Sequence, residues 1–332
     1  MATNLGRVGM VMKGTYNSVS TYETLDAVTY NNGLYVAKQN VPAGTTPVNT
    51  SYWQPAIDAS GLVPPNGYNH NGIYRGSNLG TISSLAQLEA FLTEHEVAAG
   101  KFTNLYLGDY IKIQDGTYNG NWCIAGFGTE ANKGSSNIPS KNTLSLIPNS
   151  NLTSAAMNST NTTGVSKNTN NPLYAETQGV ETAGYQAYWG SDMAQIIMPD
   201  IEAKLTAVLG THLKTRDILC SMTMTPTTPS MAGAGANGAS TNWGWKAVKA
   251  ALMTEVQVYG STVYSSSNFD VGEGYEKLPI FNFISPVGQG RAGWWLRAVA
   301  SSSAFAFASG TGNAAAGGAS GALGVRPLIV VG

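Results

Sequence analysis

Residues 293–300 spell Gly-Trp-Trp-Leu-Arg-Ala-Val-Ala, an almost uninterrupted apolar run that is typical of a buried β-strand. Successive side chains of a strand point to opposite faces of its sheet, so Trp294 and Trp295 must face different surroundings. We expect one of them to enter the core and the other to cover a second layer or an interface. For Arg297, the one charge in the run, pairing with a carboxylate or a carbonyl is favoured over ligand contact.

Further apolar stretches on both sides of this run also predict strands. Residues 304–309 and 324–331 alternate in the manner of strands, and residues 310–321 between them consist almost entirely of Gly, Ala, Ser, Thr and Asn, which predicts a loop. Earlier in the chain, residues 105–113 and 122–127 predict two more strands.

Three segments predict helices. A capping box at residues 84–87 predicts the start of a helix that ends near Gly100. A second helix is predicted over residues 199–209, with a proline at its tolerated first position. A shorter helix is predicted around residues 246–255, with Trp245 as its first core residue.

Composition narrows the class of protein. The chain has 332 residues, enough for two or three domains, and 42% of them are hydrophobic, which argues against disorder. Only 11% are charged, less than half of the ~25% of an ordinary soluble domain. The net charge of −1 disfavours nucleic acid and anionic membrane surfaces as partners. No apolar run approaches the ~20 residues of a membrane span, so we expect no membrane insertion.

The first part of the chain predicts a separate all-β module. Two β-rich segments, residues 22–30 and 34–38, flank Asn31-Asn32-Gly33, and Asn-Gly between such segments is a strong hairpin signal. We therefore predict an N-terminal module over residues 1–59. Gly, Pro and Asn punctuate residues 60–79, which predicts a linker before a larger domain over residues 80–332.

Residues 80–332 resemble the phage and bacterial C-type-lectin-like domains that are related to tropism-determining tail proteins and formylglycine-generating-enzyme folds. The resemblance rests on four segments in order: LYLGDY at 105–110, GWWLR at 293–297, AFAF at 304–307 and GVRPL at 324–328. It implies an α+β fold with two main helices and a small twisted antiparallel sheet. Long loops on one side of that fold can present a binding surface.

Residues 15–57 resemble the small chitin-binding-type modules (type 5/12) that recur in phage fibres. The matching residues include Tyr22, Asp26, Tyr30 and Trp53. Where glycan-binding members carry an exposed tryptophan, this chain has Lys-Gln-Asn at 38–40. The resemblance therefore favours an anchoring or spacer role for this module over sugar binding.

Residue types that carry chemistry are scattered. The three histidines stand apart from one another and are expected at surface or loop positions: His70, His95 and His212. Cys123 and Cys220 match no metal spacing and are expected to be free, partly buried thiols. The acidic residues of segment 270–276 are interpreted as solvated charges rather than as a calcium site. We expect no catalytic residue, no metal and no cofactor.

Aromatic residues in polar loop segments are the candidates for ligand contact. They are Tyr188, Trp189 and Trp243, and Asn313 of the small-residue loop could add hydrogen bonds. The alternative, which stays open from the sequence, is that these aromatics seal the core beneath long loops.

These observations predict a non-enzymatic surface protein of a bacteriophage virion, on a tail or head fibre, that adsorbs to a host-surface glycan or receptor protein. One alternative is a decoration protein of head or tail without a dedicated ligand, and another is a bacterial surface or secreted enzyme. Expected partners are other virion proteins, through the N-terminal module, and further copies of the chain in a homotrimer.

Overall fold

The computed structural model describes residues 9–30, 33–57, 68–161, 168–173, 187–224, 240–265, 276–287, 289–301 and 303–332. The chain divides into two compact units, Met1–Pro65 and Asn66–Gly332. Residues 68–79, which the sequence assigns to a linker, contribute a 3-10 turn (Tyr68–Gly72) and the first residues of a strand to the second unit.

The first unit is a four-stranded sheet. Its strands, in spatial order, are β1 (Val11–Thr15), β2 (Asp26–Tyr30), β3 (Gly33–Ala37) and β4 (Trp53–Ile57). β1 runs parallel to β2, and the other neighbours are antiparallel. The predicted hairpin of β2 and β3 is confirmed, although residues 31–32 of its turn lie outside the described residues.

Trp53 is the centre of the small core of this unit. It is fully buried, and its indole N–H donates to the Thr45 carbonyl at 3.1 Å. Tyr22 packs against it edge to face, with ring centroids 5.3 Å apart. Large aromatic side chains supply the apolar contact area that so short a module cannot gain from many residues.

The second unit is built mainly of strands: β5 (Asn78–Ile82), β6 (Tyr110–Ile113), β7 (Gly120–Phe127), β8 (Leu144–Pro148), β9 (Thr153–Ala156), β10 (Arg216–Met224), β11 (Ser240–Val248), β12 (Ala250–Leu252), β13 (Trp294–Val299), β14 (Ala304–Ala308), β15 (Ala314–Gly318), β16 (Ala322–Val325) and β17 (Pro327–Val331). One sheet has the order β12-β17-β8-β7-β6-β5 and a second the order β15-β14-β13-β16-β9. β10 and β11 form a two-stranded antiparallel ribbon.

The α-helices of the described residues are few and short. They are α1 (Leu85–Glu94), α2 (Met198–Leu209) and α3 (Glu255–Tyr259). α1 begins where the capping signal predicts, because the Ser84 side chain accepts the N–H of Gln87. α2 is preceded by one π-helical turn (Met193–Ile197). The start of the first predicted helix and the position of the second are thus confirmed, whereas α1 ends at Glu94 and not near Gly100.

The predicted fold class is nevertheless wrong. In place of a C-type-lectin-like domain with two main helices and one small sheet, the described residues form a mostly β structure with four sheets of two to six strands. The physical reason is that segments expected as loops or helix pair as strands. β15 lies inside the segment 310–321 that is predicted as a loop, and it pairs along its whole length with β14.

The predicted helix over residues 246–255 is also wrong. β11 continues to Val248, β12 follows almost at once, and α3 begins only at Glu255. Side chains from Trp243 to Val248 alternate between the two faces of a strand, and β10 pairs with them residue by residue. Tertiary pairing therefore overrides the local helical signal.

β13 lies between two hydrophobic cores. Trp294 and Trp295 are both 0% exposed, and they belong to different clusters of buried side chains. The Trp294 indole N–H donates to the Pro286 carbonyl and that of Trp295 to the Ala155 carbonyl, each at 2.9 Å. The expectation that they face different sides is confirmed, and both sides are core.

Candidate functional site: the outer face of the β10–β11 ribbon

The β10–β11 ribbon has one buried and one outward face. Ile218, Cys220 and Val248 belong to the buried face and join the large core of the second unit. The alternating positions form three cross-strand pairs on the other face: Asp217 with Ala247, Leu219 with Trp245, and Ser221 with Trp243. We call this surface the outer face.

Two tryptophans stand next to each other on the outer face. Trp245 is 39% exposed, and Trp243 is half-buried. Residues two apart on a strand point the same way and are separated by about 7 Å. Leu219, half-buried on the neighbouring strand, lies directly opposite Trp245. The result is a neighbouring aromatic pair flanked by an aliphatic side chain.

Hydrogen bonds from other elements hold the ribbon in place. The Arg297 guanidinium, on β13, donates from Nη1 to the Leu219 carbonyl at 3.0 Å. Arg216 forms an ion pair with Glu130 at 3.0 Å, and both side chains are at least 97% buried. The tryptophans thus project from a backbone that is fixed before any ligand arrives, which lowers the entropic cost of binding.

The carboxylate of Asp217 holds a neighbouring loop against the ribbon. Oδ2 accepts the backbone N–H groups of Ser135, Ser136 and Asn137 at 3.0, 2.6 and 2.9 Å, and Oδ1 accepts the Asn137 side-chain amide at 2.7 Å. Burial alone would raise the pKa of Asp217, but these donors outweigh it and lower the pKa to about 2.

The predicted contact residue Tyr188 lies in the core. It is 4% exposed, and its hydroxyl oxygen is 3.3 Å from the N–H of Leu252. Burial raises the pKa of this phenol well above its ordinary value. Tyr188 therefore supports the packing of β12 and is not on the surface that a ligand would meet.

Trp189 is half-buried and already has a partner on its ring. The Lys246 ammonium lies 5.1 Å from the ring centroid, a cation–π contact. Together with Gln195, Glu202 and Val248, Trp189 lines a cavity of about 130 Å³. Because Lys246 alternates with Trp243 and Trp245 along β11, Trp189 does not belong to the outer face.

The structure does not bring the four predicted residues into one site. Asn313 is exposed in the turn between β14 and β15, where its hydrogen bonds stay within the turn, to Ser309 and Thr311. Only Trp243 of the predicted set stands on the outer face. The sequence predicts that the three aromatic candidates lie in two loops, 185–189 and 230–243, of which residues 185–186 and 230–239 lie outside the described residues.

Trp245 is the functional candidate that the predicted helix concealed. The sequence predicts it in the core as the first apolar residue of that helix, whereas it is the most exposed tryptophan among the described residues. The signal that would have found it is the alternation Trp-Gly-Trp at 243–245, which places two large aromatics on one face if the segment is a strand.

The histidines and cysteines, which are the residue types most often found in catalytic and metal sites, have structural roles here. Each histidine has Nδ1 within hydrogen-bond distance of a backbone carbonyl, those of Leu105, Thr103 and Gly332 for His70, His95 and His212 respectively. His70 and His95 are buried, so of the predicted surface or loop positions the surface one does not apply to them. Cys123 and Cys220 are both buried, and burial raises the pKa of the Cys123 thiol to about 11.

Among the described residues, no three histidine, cysteine or acidic side chains cluster in a way that could hold a metal ion; Asp270 and Glu273 are outside those residues. In the same part of the chain, none of the helices has the length and apolar character needed to cross a membrane. Comparison with known proteins gives no match to any family model, curated protein or solved structure.

Proposed function

We propose that this chain is a non-enzymatic adsorption protein of a bacteriophage particle, and that it binds a host-surface glycan on the outer face of the β10–β11 ribbon. The observation that carries the proposal is the side-by-side placement of Trp243 and Trp245 on a fixed, outward strand face. An exposed indole beside a half-buried one, flanked by small and aliphatic side chains, suits a ligand that offers C–H surfaces for stacking.

The charge distribution favours a glycan over a charged ligand. Leu219, Ser221 and Ala247 around the tryptophans are uncharged, and the carboxylate of Asp217 is occupied by four donors. The chain as a whole carries a net charge of −1. Such a surface gives little electrostatic attraction to polyanions, and shape and stacking must supply the affinity.

The N-terminal unit fits the anchoring role that its sequence resemblance suggests. Trp53, its largest side chain, is buried in the core of the unit and is not available for stacking on a sugar. Lys38, at a position where glycan-binding relatives would have a tryptophan, donates to the Thr50 carbonyl at 2.7 Å. We therefore assign attachment to the particle to this unit and recognition to the second.

A specific observation also favours the second candidate, a decoration protein. Tyr74 and Phe283 are exposed and stack with ring centroids 6.1 Å apart and an interplanar angle of 19°. An exposed apolar pair of this kind suits packing against another particle subunit as well as it suits a ligand.

The double variant Trp243→Ala/Trp245→Ala separates the two candidates. If the chain is an adsorption protein, the double variant should bind an array of immobilised bacterial surface polysaccharides with an affinity lower by about 30-fold or more. A loss of this size is typical when central aromatic anchors are removed. Because Trp245 is exposed and Trp243 is half-buried, its melting temperature should fall only slightly.

Phe283→Ala is the matched control, because it removes an exposed aromatic ring that is not part of the outer face. It should bind the array like the unmodified chain. If the unmodified chain binds no polysaccharide and the double variant behaves identically, adsorption through this face is wrong. Immunogold labelling of purified particles that encode this chain tests its place on the virion.

A further inference from the structure

We propose that the loop of residues 134–138 is a side wall of the outer face, with Ile138 as a ligand contact and Asp217 as the residue that positions the wall. We further infer that the wall selects sugars that carry a methyl group, in an acetamido or a 6-deoxy substituent. This inference rests on the proposed function and names the ligand class for that same site.

The placement of the loop follows from the ribbon register. Asp217 is on the outer face, two positions from Leu219, which is opposite Trp245. Its carboxylate binds three consecutive N–H groups of the loop, and its own N–H donates to the Asn137 carbonyl at 3.0 Å. The backbone bond places the loop along the edge of β10, and the carboxylate bonds attach it to the outer face at Asp217.

Gly134 brings the start and the end of the loop close to Asp217. Its φ of +118° lies in a region that favours glycine, and a Cβ placed there would be 3.1 Å from Asp217 Cβ and 3.4 Å from Ile138 Cγ1. Ile138 is consequently beside Asp217, and 49% of it is exposed. A β-branched aliphatic side chain is held at the edge of the outer face without being used by the core.

The chemistry of the wall points to the methyl group. The carboxylate of Asp217 stays charged, but it is buried and its oxygens are used by four N–H donors, so the wall offers ligands an aliphatic surface and not an ionic one. Trp245 and Leu219 form the floor, and Ile138 adds a second apolar surface at its edge. A polyhydroxylated sugar ring can stack on the floor without contacting the wall. A methyl substituent buries additional apolar surface when it also contacts Ile138.

Four proteins are compared on one array that contains unsubstituted hexose polymers, acetamido-sugar polymers and 6-deoxy-sugar polymers. They are the unmodified chain, Ile138→Ala, Asp217→Asn and the double variant of these two. We expect Ile138→Ala to lose roughly tenfold on methyl-bearing polymers, the loss that a few apolar groups account for. The acetamido and 6-deoxy arms identify which source supplies the methyl.

The double variant distinguishes positioning from general destabilisation. If Asp217 acts by holding Ile138, then Asp217→Asn should add little further loss once Ile138 is alanine, because the two effects share one contact. Additive losses would show that Asp217 acts independently of Ile138, and would overturn its positioning role. Preferential binding to unsubstituted hexoses would overturn the methyl selectivity.

Failure of this inference is separable from failure of the proposed function. If Ile138→Ala binds like the unmodified chain while Trp243→Ala/Trp245→Ala has lost binding, the wall is wrong and the tryptophan face stands. If the unmodified chain and the tryptophan variant both bind no polymer, the wall and the proposed glycan-binding function are both wrong. Ile138 is half-exposed, so its replacement should leave the melting temperature unchanged and the result interpretable.

Discussion

At the scale of single residues, the ion pair of Arg216 and Glu130 is among the most deeply buried charges described in the second unit. The pair is 3.0 Å apart, and Glu130 also accepts from the Gln257 amide at 3.3 Å. Glu130→Ala should lower the free energy of unfolding by about 3–5 kcal/mol, because it strands a buried guanidinium. Urea unfolding monitored by circular dichroism measures this free energy.

Lys101→Ala is the control, because it breaks the exposed ion pair with Glu96 and should change the free energy of unfolding little. Equal losses of stability in the two variants would contradict this account.

The candidate site shows how far the exposure of a single aromatic residue can be predicted from its neighbours in sequence. The polar stretch before Trp243 predicts a ligand contact, and the structure places this residue on the outer face. A similar loop-like neighbourhood predicts the same for Tyr188, which lies in the core. A loop-like neighbourhood predicts that an aromatic residue can be exposed, but exposure depends on which distant segment covers it. For Tyr188 that segment is β12, whose Leu252 N–H reaches its hydroxyl.

At the scale of elements, β13 and the β10–β11 ribbon differ in burial. Both faces of β13 pack into hydrophobic cores, whereas only one face of the ribbon does. Trp294→Ala and Trp295→Ala should each lower the free energy of unfolding by about 3–5 kcal/mol, because each leaves a large cavity in a separate core. Trp245→Ala is the matched control on a strand with one exposed face, and it should cost far less. Thermal and urea unfolding of the three variants provide the comparison. A small effect of either β13 substitution would mean that one side of the strand is not core.

Predictions for elements succeeded where the signal is local. The cap at Ser84 and the helix stripe of α2 can be recognised from neighbouring residues alone. The sheets could not be predicted in this way, since β17 pairs with β8 through Ile329 and Leu146, which are far apart in sequence. β15 had no local signal, because a run of Ala and Gly gives neither periodicity nor β-propensity.

At the scale of the whole molecule, the two units have separate hydrophobic cores. Among the described residues, the core of the first unit comprises five buried side chains around Trp53, which is few for a module that folds on its own. Trp53→Ala should therefore abolish the unfolding transition of the first unit in calorimetry and leave that of the second unit in place. A fragment of residues 66–332 should retain the second transition and the polysaccharide binding. Loss of both transitions in Trp53→Ala would show that the units do not fold separately.

The exposure of Trp245 gives the protein an intrinsic optical probe. Of the seven tryptophans, Trp53, Trp122, Trp294 and Trp295 are fully buried, and Trp189 and Trp243 are half-buried. Excitation at the red edge of the indole absorption band favours the ring that water reaches most, and an added quencher such as acrylamide reaches that ring first. Fluorescence emission from this chain can therefore report directly on the occupancy of the outer face, without a dye or a tag.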